Sequence, residues 1–376
     1  MSFVHKSIFI KALLVAGVLV FGLVFAAPAD PPFQQAIPGY GFQFPRDLYS
    51  HDDFRIEWWY YTGNLAGFDG RKFGYQLTFF RVGLEGAEKI SNLSKWKVGQ
   101  VYFAHMTVTD LEKMKFHFFE RINRSGIENA GADSDRLRVW NENWRLTSQG
   151  DSHKLEAVDS GTGIHLLLTP VKNLVMHGQE GISKKGSGEG NASHYFSYTR
   201  MKTEGTVFIR GEEFKVTGTS WMDHEFSSNQ LNRDLVGWNW FSIKLDNHSE
   251  IMLYQLRRKD GGTDPFSSGT LVHPDNTTRH LEREQFSISP TGSWTSPHTQ
   301  TRYPAAWEIA LDDLDTRLKI KPDLEDQELF HLRSISGSYW EGSVSVTGVF
   351  KGKTVAGTGY VELVGYQKPF KQELPD

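Results

Sequence analysis

The 376-residue chain contains no cysteine. Disulfide bonds, thiol nucleophiles and cysteine-ligated zinc sites are therefore excluded, and the fold must be held together by its core. Charge of one sign is also scarce, because the net charge is only −4 and the sequence pI is about 6.4. Without a basic surface, we expect no binding to nucleic acid.

A long apolar run occurs near the N-terminus, from Ala12 to Phe25. Lys6 and Lys11 precede the run and small residues follow it, which is the pattern of a secretory signal peptide. We assign residues 1–29 to this signal. An uncleaved membrane anchor is the alternative, although the run is somewhat short for a spanning helix. The sequence thus predicts a secreted, periplasmic protein that can associate with cell-envelope components.

Helical periodicity is scarce after residue 29, whereas aromatic residues make up 13% of the chain and glycine occurs 36 times. Aromatic and β-branched residues recur in short runs separated by Gly, Asp and Asn, which predicts strands joined by tight turns. The predicted strands are Arg55–Asn64, Phe73–Val82, Val101–Thr109, Lys115–Ile122, Gly163–Pro170, Gly205–Arg210, Glu213–Trp221, Gly237–Leu245, Glu250–Arg257, Ser338–Phe350 and Thr354–Val364. This pattern predicts an all-β protein, built as an antiparallel sandwich or barrel.

The length of the chain predicts two domains. The polar segment 227–236 is the predicted boundary, which gives an N-terminal domain over residues 30–230 and a C-terminal domain over residues 231–376. Two other stretches lack a strand pattern. We interpret Gly261–Ala306 as a long connection, and the Gly-rich Ser183–Ser193 as a mobile surface loop.

The stretch Ser220–Ser228 ("SWMDHEFSS") places three titratable residues side by side in a predicted strand: Asp223, His224 and Glu225. Because side chains alternate along a strand, both carboxylates share a face with Trp221, and His224 points to the opposite face. Burial beside tryptophan raises the pKa of a carboxyl group, and a carboxyl that stays protonated near neutral pH can act as a general acid. Structural ion pairs with arginines and a solvated strand edge are the alternative roles.

Other predicted strands also combine aromatic and polar residues. Glu57 and Trp59 share one face of their strand, and Trp238 and Trp240 share one face of theirs. Large aromatic side chains with few carboxylates suit an apolar pocket that contains a few polar groups. We therefore expect an apolar small-molecule or lipid-like ligand.

Histidines are present but scattered, and no His-x-His or His-Glu-x-x-His motif occurs. The sequence therefore predicts no metal site. A Gly-x-Ser-x-Gly elbow is also missing, which argues against a serine hydrolase of the α/β type.

Six ordered stretches carry a resemblance to a known family: "HDDFRIEWWYYTGNL" (51–65), "GYQLTFFR" (74–81), "HYFSYTRM" (194–201), "GTSWMDHEFSS" (218–228), "GWNWFSIKLDNHSEIMLYQLRRKDG" (237–261) and "YWEGSVSVTG…GTGYVELVGY" (339–366). Together they resemble the AttH/CrtC-like family, which includes carotenoid 1,2-hydratases and secreted proteins described as predicted hydrolases. The resemblance implies two lipocalin-like antiparallel β-barrel domains and chemistry without a cofactor. In the hydratase branch, a protonated acid starts the addition of water to a C=C bond of an acyclic carotenoid.

The resemblance also implies candidate site residues. The candidate catalytic residues are Asp223, Glu225 and His194, and the candidate substrate-binding residues are Glu57, Trp59, Tyr195, Trp221, His224, Trp238 and Trp240. Position 224 departs from the family pattern, because many members resemble an "MDRE" form with arginine where this chain has His224.

Three functions fit these observations. The first is a cofactor-independent hydro-lyase or hydrolase that applies carboxylate acid–base chemistry to an apolar, isoprenoid- or lipid-like substrate. The second is a non-catalytic periplasmic carrier of a lipid or apolar small molecule. The third is a structural or partner-binding protein of the cell envelope. The sequence leaves the choice between catalysis and binding open.

Overall fold

The computed structural model describes residues 33–84, 99–126, 128–229 and 234–370. The predicted signal peptide at residues 1–29 lies outside these ranges. Within them, the regular structure is almost entirely strand, apart from short 3-10 helices at Arg46–Leu48, Arg283–Gln285 and Asp312–Leu314. No helix in the described ranges has the length and apolar character needed to cross a membrane.

The first sheet is built from residues 56–227 and is antiparallel. Its strands are β1 (Ile56–Gly67), β2 (Lys72–Gly83), β3 (Gln100–Asp110), β4 (Lys115–Arg124), β5 (Ala130–Ala132), β6 (Arg138–Asn141), β7 (Trp144–Gln149), β8 (Ser152–Asp159), β9 (Thr162–Pro170), β10 (Val175–Met176), β11 (Ile182–Lys184), β12 (Ala192–Ile209) and β13 (Glu212–Ser227). Their order is β4-β3-β2-β1-β13-β12-β9-β8-β7-β6-β5, and β10 and β11 pair with β12.

This sheet curls into a nearly closed barrel. Its two ends meet where Asn141 of β6 donates to the main-chain oxygen of Tyr102 (3.3 Å) and accepts from the Asn123 amide of β4 (2.7 Å). Large apolar side chains fill the interior, and Trp59 and Trp144 are fully buried there. Since side chains alternate along each strand, every second residue of β1 and β13 points out of the barrel.

The second sheet follows and forms a half-barrel with a core of its own. Its strands are β14 (Leu235–Leu245), β15 (Glu250–Arg258), β16 (Ser268–Val272), β17 (Thr278–Leu281), β18 (Ser287–Thr295), β19 (Arg302–Leu311), β20 (Thr316–Pro322), β21 (Glu328–Leu329), β22 (Tyr339–Phe350) and β23 (Lys353–Val364). Their order is β17-β16-β15-β14-β23-β22-β20-β19-β18, and β21 pairs with β22.

The predicted all-β, lipocalin-like antiparallel fold is confirmed. The interpretation of Gly261–Ala306 as a connection was wrong, because this stretch contains β16, β17, β18 and the start of β19. The strand β18 is exposed along most of its length, so it lacks the apolar alternation that marks a half-buried strand. The chain changes sheets between Ser227 and Leu235, and both sheets belong to one compact unit that begins at Phe33. The division into two domains stays a prediction.

The two sheets pack on each other along a contact that we call the seam. Its apolar cluster includes Tyr60 and Trp221 from the first sheet and Trp240 from the second. The Tyr60 hydroxyl donates to Glu341 of β22 at 2.6 Å, and Trp240 Nε1 donates to the Tyr195 hydroxyl at 3.1 Å. The seam therefore combines aromatic packing with buried polar contacts between the sheets.

Candidate functional site

A cavity of about 170 Å³ lies in the seam. Its walls are largely aromatic and include Trp58, Tyr60, Phe80, Trp238, Trp240 and Tyr254. Three carboxyl groups and one ammonium group also line it: Asp223, Glu225, Glu362 and Lys185. An apolar concavity with a few placed polar groups is typical of a small-molecule site.

Strand register surrounds the two carboxylates of β13 with aromatic rings. On one side, β1 pairs Tyr60 with Asp223 and Trp58 with Glu225. On the other side, β12 pairs Tyr195 with Glu225. Directly opposed residues share a face of the sheet, with their Cβ atoms about 4.5–5.5 Å apart. The aromatic side chains of both neighbouring strands therefore flank these carboxyl groups.

Asp223 is 4% exposed and accepts three hydrogen bonds. Tyr195 donates to Oδ2 at 2.7 Å, Trp221 Nε1 donates to Oδ1 at 2.6 Å, and Ser197 also donates to Oδ1. Burial raises the pKa of Asp223 to about 7, although the three donors act in the opposite direction. Among the described residues no lysine or arginine forms an ion pair with Asp223, so structural ion pairing does not account for this carboxyl group.

A chain of hydrogen bonds supports Asp223 from behind. Ser197 Oγ lies 2.7 Å from Nε2 of His177, and Nδ1 of His177 lies 2.8 Å from the Thr270 hydroxyl of β16. Burial lowers the pKa of His177 to about 3, so the imidazole is neutral. Because Ser197 donates to Asp223, it accepts from Nε2–H, and Nδ1 accepts from Thr270. Residues of both sheets thus orient the hydroxyl that bonds to Asp223.

Lys185 and Glu225 form a buried ion pair at the cavity wall. The Lys185 ammonium lies 3.4 Å from Glu225 Oε1 and 3.8 Å from the centre of the Tyr254 ring. Burial alone would lower the pKa of Lys185, but Glu225 and Tyr254 raise it above its usual value.

The prediction of a surface loop over Ser183–Ser193 was wrong for part of this segment, because Lys185 is only 7% exposed. Lys185 contacts Glu225 and Tyr254, which are distant from it in the sequence, so the composition of the segment around Lys185 does not predict these contacts.

Glu57 and His224 lie on the other face of the sheet, inside the barrel. Nδ1 of His51 and Nε2 of His224 lie 2.7 and 2.8 Å from Glu57 Oε1, and Arg81 Nε lies 3.0 Å from Oε2. Burial alone would raise the pKa of Glu57, but Arg81 and His51 hold it well below its usual range. The donor atoms of His51, Glu57 and His224 lie within 4.8 Å of one another, as metal ligands do. The distances to Glu57 fit hydrogen bonds, and Arg81 already balances its charge, so the arrangement is that of a structural network.

His194 also points into the barrel, because it precedes Tyr195 in β12 and successive side chains alternate. Its ring centre lies 4.3 Å from that of Tyr40 and 4.8 Å from that of Phe226. Burial lowers the pKa of His194 to about 4. The structure therefore does not bring His194 to the two carboxylates of the cavity.

The candidate residues thus fall into two groups. The first group lies in the seam and consists of Asp223, Glu225, Tyr195, Trp238 and Trp240, which line the cavity, and Trp221, which donates a hydrogen bond to Asp223. The second group lies inside the barrel and consists of Glu57, Trp59, His194 and His224. Sequence reasoning missed most of the residues that line the cavity, among them Trp58, Tyr60, Lys185 and Glu362. Alternation in "EWWYY" places Trp58 and Tyr60 on one face of β1, and "GTGYVELVGY" contains a single carboxylate, Glu362, but neither pattern shows which face meets the cavity.

Comparison with known proteins places the chain in a family. A family model described as AttH-like matches residues 35–366. The chain belongs to the AttH-like family. A crystal structure designated AttH, from Nitrosomonas europaea, is 33% identical and covers 89% of this chain and 100% of its own, with a TM-score of 0.79. The resemblance carried by the six sequence motifs is thereby confirmed.

Two more distant structures share the fold of this AttH-like protein. Kievitone hydratase from Nectria haematococca is 16% identical, covers 90% of this chain and 98% of its own, and has a TM-score of 0.68. CghA, solved with Sch210972, is 11% identical, covers 90% of this chain and 96% of its own, and has a TM-score of 0.55. At these identities the likeness shows the fold alone. No curated protein matched the sequence.

Proposed function

We propose that this AttH-like protein is a cofactor-independent enzyme that applies carboxylate acid–base chemistry to an apolar, isoprenoid- or lipid-like substrate. The observation that carries the proposal is Asp223, a buried carboxyl group in an aromatic cavity, with a pKa of about 7. At neutral pH such a group is protonated in a large fraction of molecules and can give its proton to a substrate. Glu225 is less suited to this task, because it is held by Lys185.

Addition of water to a C=C bond is the reaction that makes the fullest use of this arrangement. Among the described residues, Tyr195 alone donates a hydrogen bond to Oδ2 of Asp223, so this oxygen retains a position for an acidic proton. Transfer of that proton breaks the O–H bond, forms a C–H bond and leaves a carbocation on the more substituted carbon. The faces of aromatic rings stabilise cations, and water then attacks the carbocation and gives up a proton.

The fold relationship supports hydration as the specific reaction. One of the structures that shares this fold is named as a hydratase, and it covers 90% of this chain. Hydrolysis of an apolar ester or ether would use the same acid and is the second reaction compatible with the cavity.

The proposal is tested with alkene probes in oxygen-18-labelled water. Squalene, farnesol and an acyclic carotenoid are incubated with the protein, and mass spectrometry detects hydrated product that carries the label. We expect Asp223→Asn to lower the rate at least about 100-fold, because general acid catalysis contributes about 10²–10⁴-fold. Asp110→Asn is the control, because Asp110 pairs with Arg71 away from the cavity. Equal turnover by wild type and Asp223→Asn would contradict the proposed role.

A carrier without chemistry is the second candidate, and the largely aromatic lining of the cavity favours it. Native mass spectrometry of protein purified from its source compartment tests this function. A retained apolar ligand that is bound equally by wild type and Asp223→Asn, without turnover of any probe, would favour the carrier over the enzyme.

We also propose that residues 1–29 direct export to the periplasm, where envelope lipids are within reach. Cell fractionation with N-terminal sequencing tests this. The mature chain is expected in the periplasmic fraction and should begin at Ala27 or Asp30. A cytoplasmic chain that retains its N-terminus would contradict export.

A further inference from the structure

The second sheet places a pair of carboxyl groups at the seam. Glu362 of β23 lines the cavity, and Glu341 of β22 is its direct cross-strand partner. Directly opposed side chains project from the same face of a sheet, with their Cβ atoms about 4.5–5.5 Å apart. Two carboxyl groups so close together do not ionise independently, because the charge of one disfavours the charge of the other.

Among the residues that the structure describes, neither member of this pair has a cation beside it. Glu341 is fully buried, accepts a hydrogen bond from Tyr60 at 2.6 Å, and leaves Oε2 without a partner. Trp238 Nε1 donates to Glu362 at 2.7 Å. In the described part of the chain, neither carboxyl group forms an ion pair with lysine or arginine. An uncompensated buried charge is costly, so Glu341 holds a proton.

Glu362 differs from Glu341 because it is only half-buried and borders the cavity. Burial raises the pKa of Glu362 to about 7 and that of Glu341 well above its usual value. At neutral pH the pair therefore carries its proton on Glu341, and Glu362 is the member that can gain or lose one. Asp223 borders the same space from the opposite sheet.

We propose that Glu362 is a second catalytic group, the base that takes a proton from the attacking water, and that Glu341 is a positioning residue behind it. This inference rests on the proposed function, in which Asp223 supplies the first proton. Asp223 loses its proton to one alkene carbon, and the water oxygen bonds to the carbocation while one water proton passes to Glu362. Proton exchange with solvent then restores protonated Asp223 and ionised Glu362. A complete site therefore requires carboxyl groups from both sheets.

Squalene in deuterated water separates the two proton transfers. Deuterium in the recovered squalene reports protonation by Asp223 and its reversal, whereas hydrated squalene also requires activation of water. We expect Glu362→Gln to lower hydration at least about 100-fold while deuterium exchange persists. Asp223→Asn should lose both signals. Glu341→Ala, which removes the neutral side chain behind Glu362, should lower hydration while deuterium exchange persists, and Glu341→Gln, an uncharged mimic of protonated Glu341, should restore hydration relative to Glu341→Ala.

These outcomes distinguish the inference from the function on which it rests. If Glu362→Gln retains full hydration, or if it loses deuterium exchange as well as hydration, the role of Glu362 as the base is overturned. Asp223 would remain the acid in either case. Full hydration and exchange in Asp223→Asn would overturn the proposed function itself. Equal hydration by Glu341→Ala and wild type would overturn the positioning role of Glu341.

Carbon-13 NMR of protein labelled at the glutamate carboxyl groups gives a readout without any substrate. One resonance should titrate near pH 7 and disappear in Glu362→Gln, which should also lower the pKa of Glu341 by removing a like charge. Glu341→Gln should leave the resonance of Glu362 in place. Glu328→Gln is the control, because Glu328 is buried in β21 but does not line the cavity. Titration of every glutamate below about pH 6 would overturn the inference.

Discussion

Asp223 shows how a single residue can favour chemistry at the expense of stability. Burial raises its pKa from 3.8 to about 7, so between these values the folded state binds more protons than the unfolded state. Stability contributed by protonated Asp223 is complete below about pH 4 and is lost as the pH rises through about 7. The carboxyl group of Asp223 therefore holds a proton below about pH 7 and loses it at mildly alkaline pH.

Asp223→Asn removes this dependence, because the amide stays neutral at every pH. As the pH rises from about 5 to about 8, we expect the free energy of unfolding of wild type to fall by about 2–3 kcal/mol more than that of the variant. Urea unfolding at the two pH values measures this gain. Parallel pH dependence in the two proteins would show that the pKa of Asp223 is not raised.

Lys185 and Glu225 depend on each other in the same cavity. Lys185→Met leaves Glu225 buried without its cation, and removal of one partner from a buried pair costs about 3–5 kcal/mol. In Lys185→Met/Glu225→Gln neither charge remains, so we expect the double variant to lose less stability than the sum of the two single variants. A double-mutant cycle by urea unfolding gives the coupling energy. Additive losses would show that the pair contributes no interaction of its own.

At the scale of elements, β2 shows how closely the two sheets approach. A Cβ added at Gly74 would lie 2.8 Å from the Tyr360 hydroxyl and 2.9 Å from Cβ of Ser343 in the second sheet. We expect Gly74→Ala to cost about 1–3 kcal/mol, because the seam must open to admit the methyl group. Gly41→Ala is the control, since, its chain neighbours apart, no atom of the described residues lies within 4 Å of its added Cβ. Thermal unfolding of both variants measures the difference, and equal melting temperatures would contradict the tight contact.

The elements also show what the sequence can predict. The long strands β1, β13 and β14 were predictable because aromatic and β-branched residues are concentrated in them. Short strands such as β5 and exposed strands such as β18 lack such runs and were missed. Alternation separated Asp223 from His224 correctly, because it depends only on local geometry. It could not show which face of β1 meets the cavity, since that depends on where the second sheet packs.

For the whole molecule, the site exists only where two sheets meet. The residues of the cavity include Trp58 in β1, Asp223 in β13 and Glu362 in β23, so distant parts of the sequence form one site. Separation of the sheets would expose Trp221 and Trp240 to water. It would also break the hydrogen bond from Tyr60 to Glu341. Stability and function therefore depend on the same contact.

We expect both sheets to unfold in one cooperative transition, because neither can leave the seam without exposing this shared cluster. Fluorine-19 NMR of protein labelled with 5-fluorotryptophan measures each sheet separately. Trp144 reports the interior of the first barrel, and Trp307 reports the core of the second sheet. Their native resonances should disappear with the same urea midpoint, and near-UV circular dichroism should share it. Two separate midpoints would mean that each sheet is stable alone, so that the cavity would be a contact between independent domains rather than part of one folded unit.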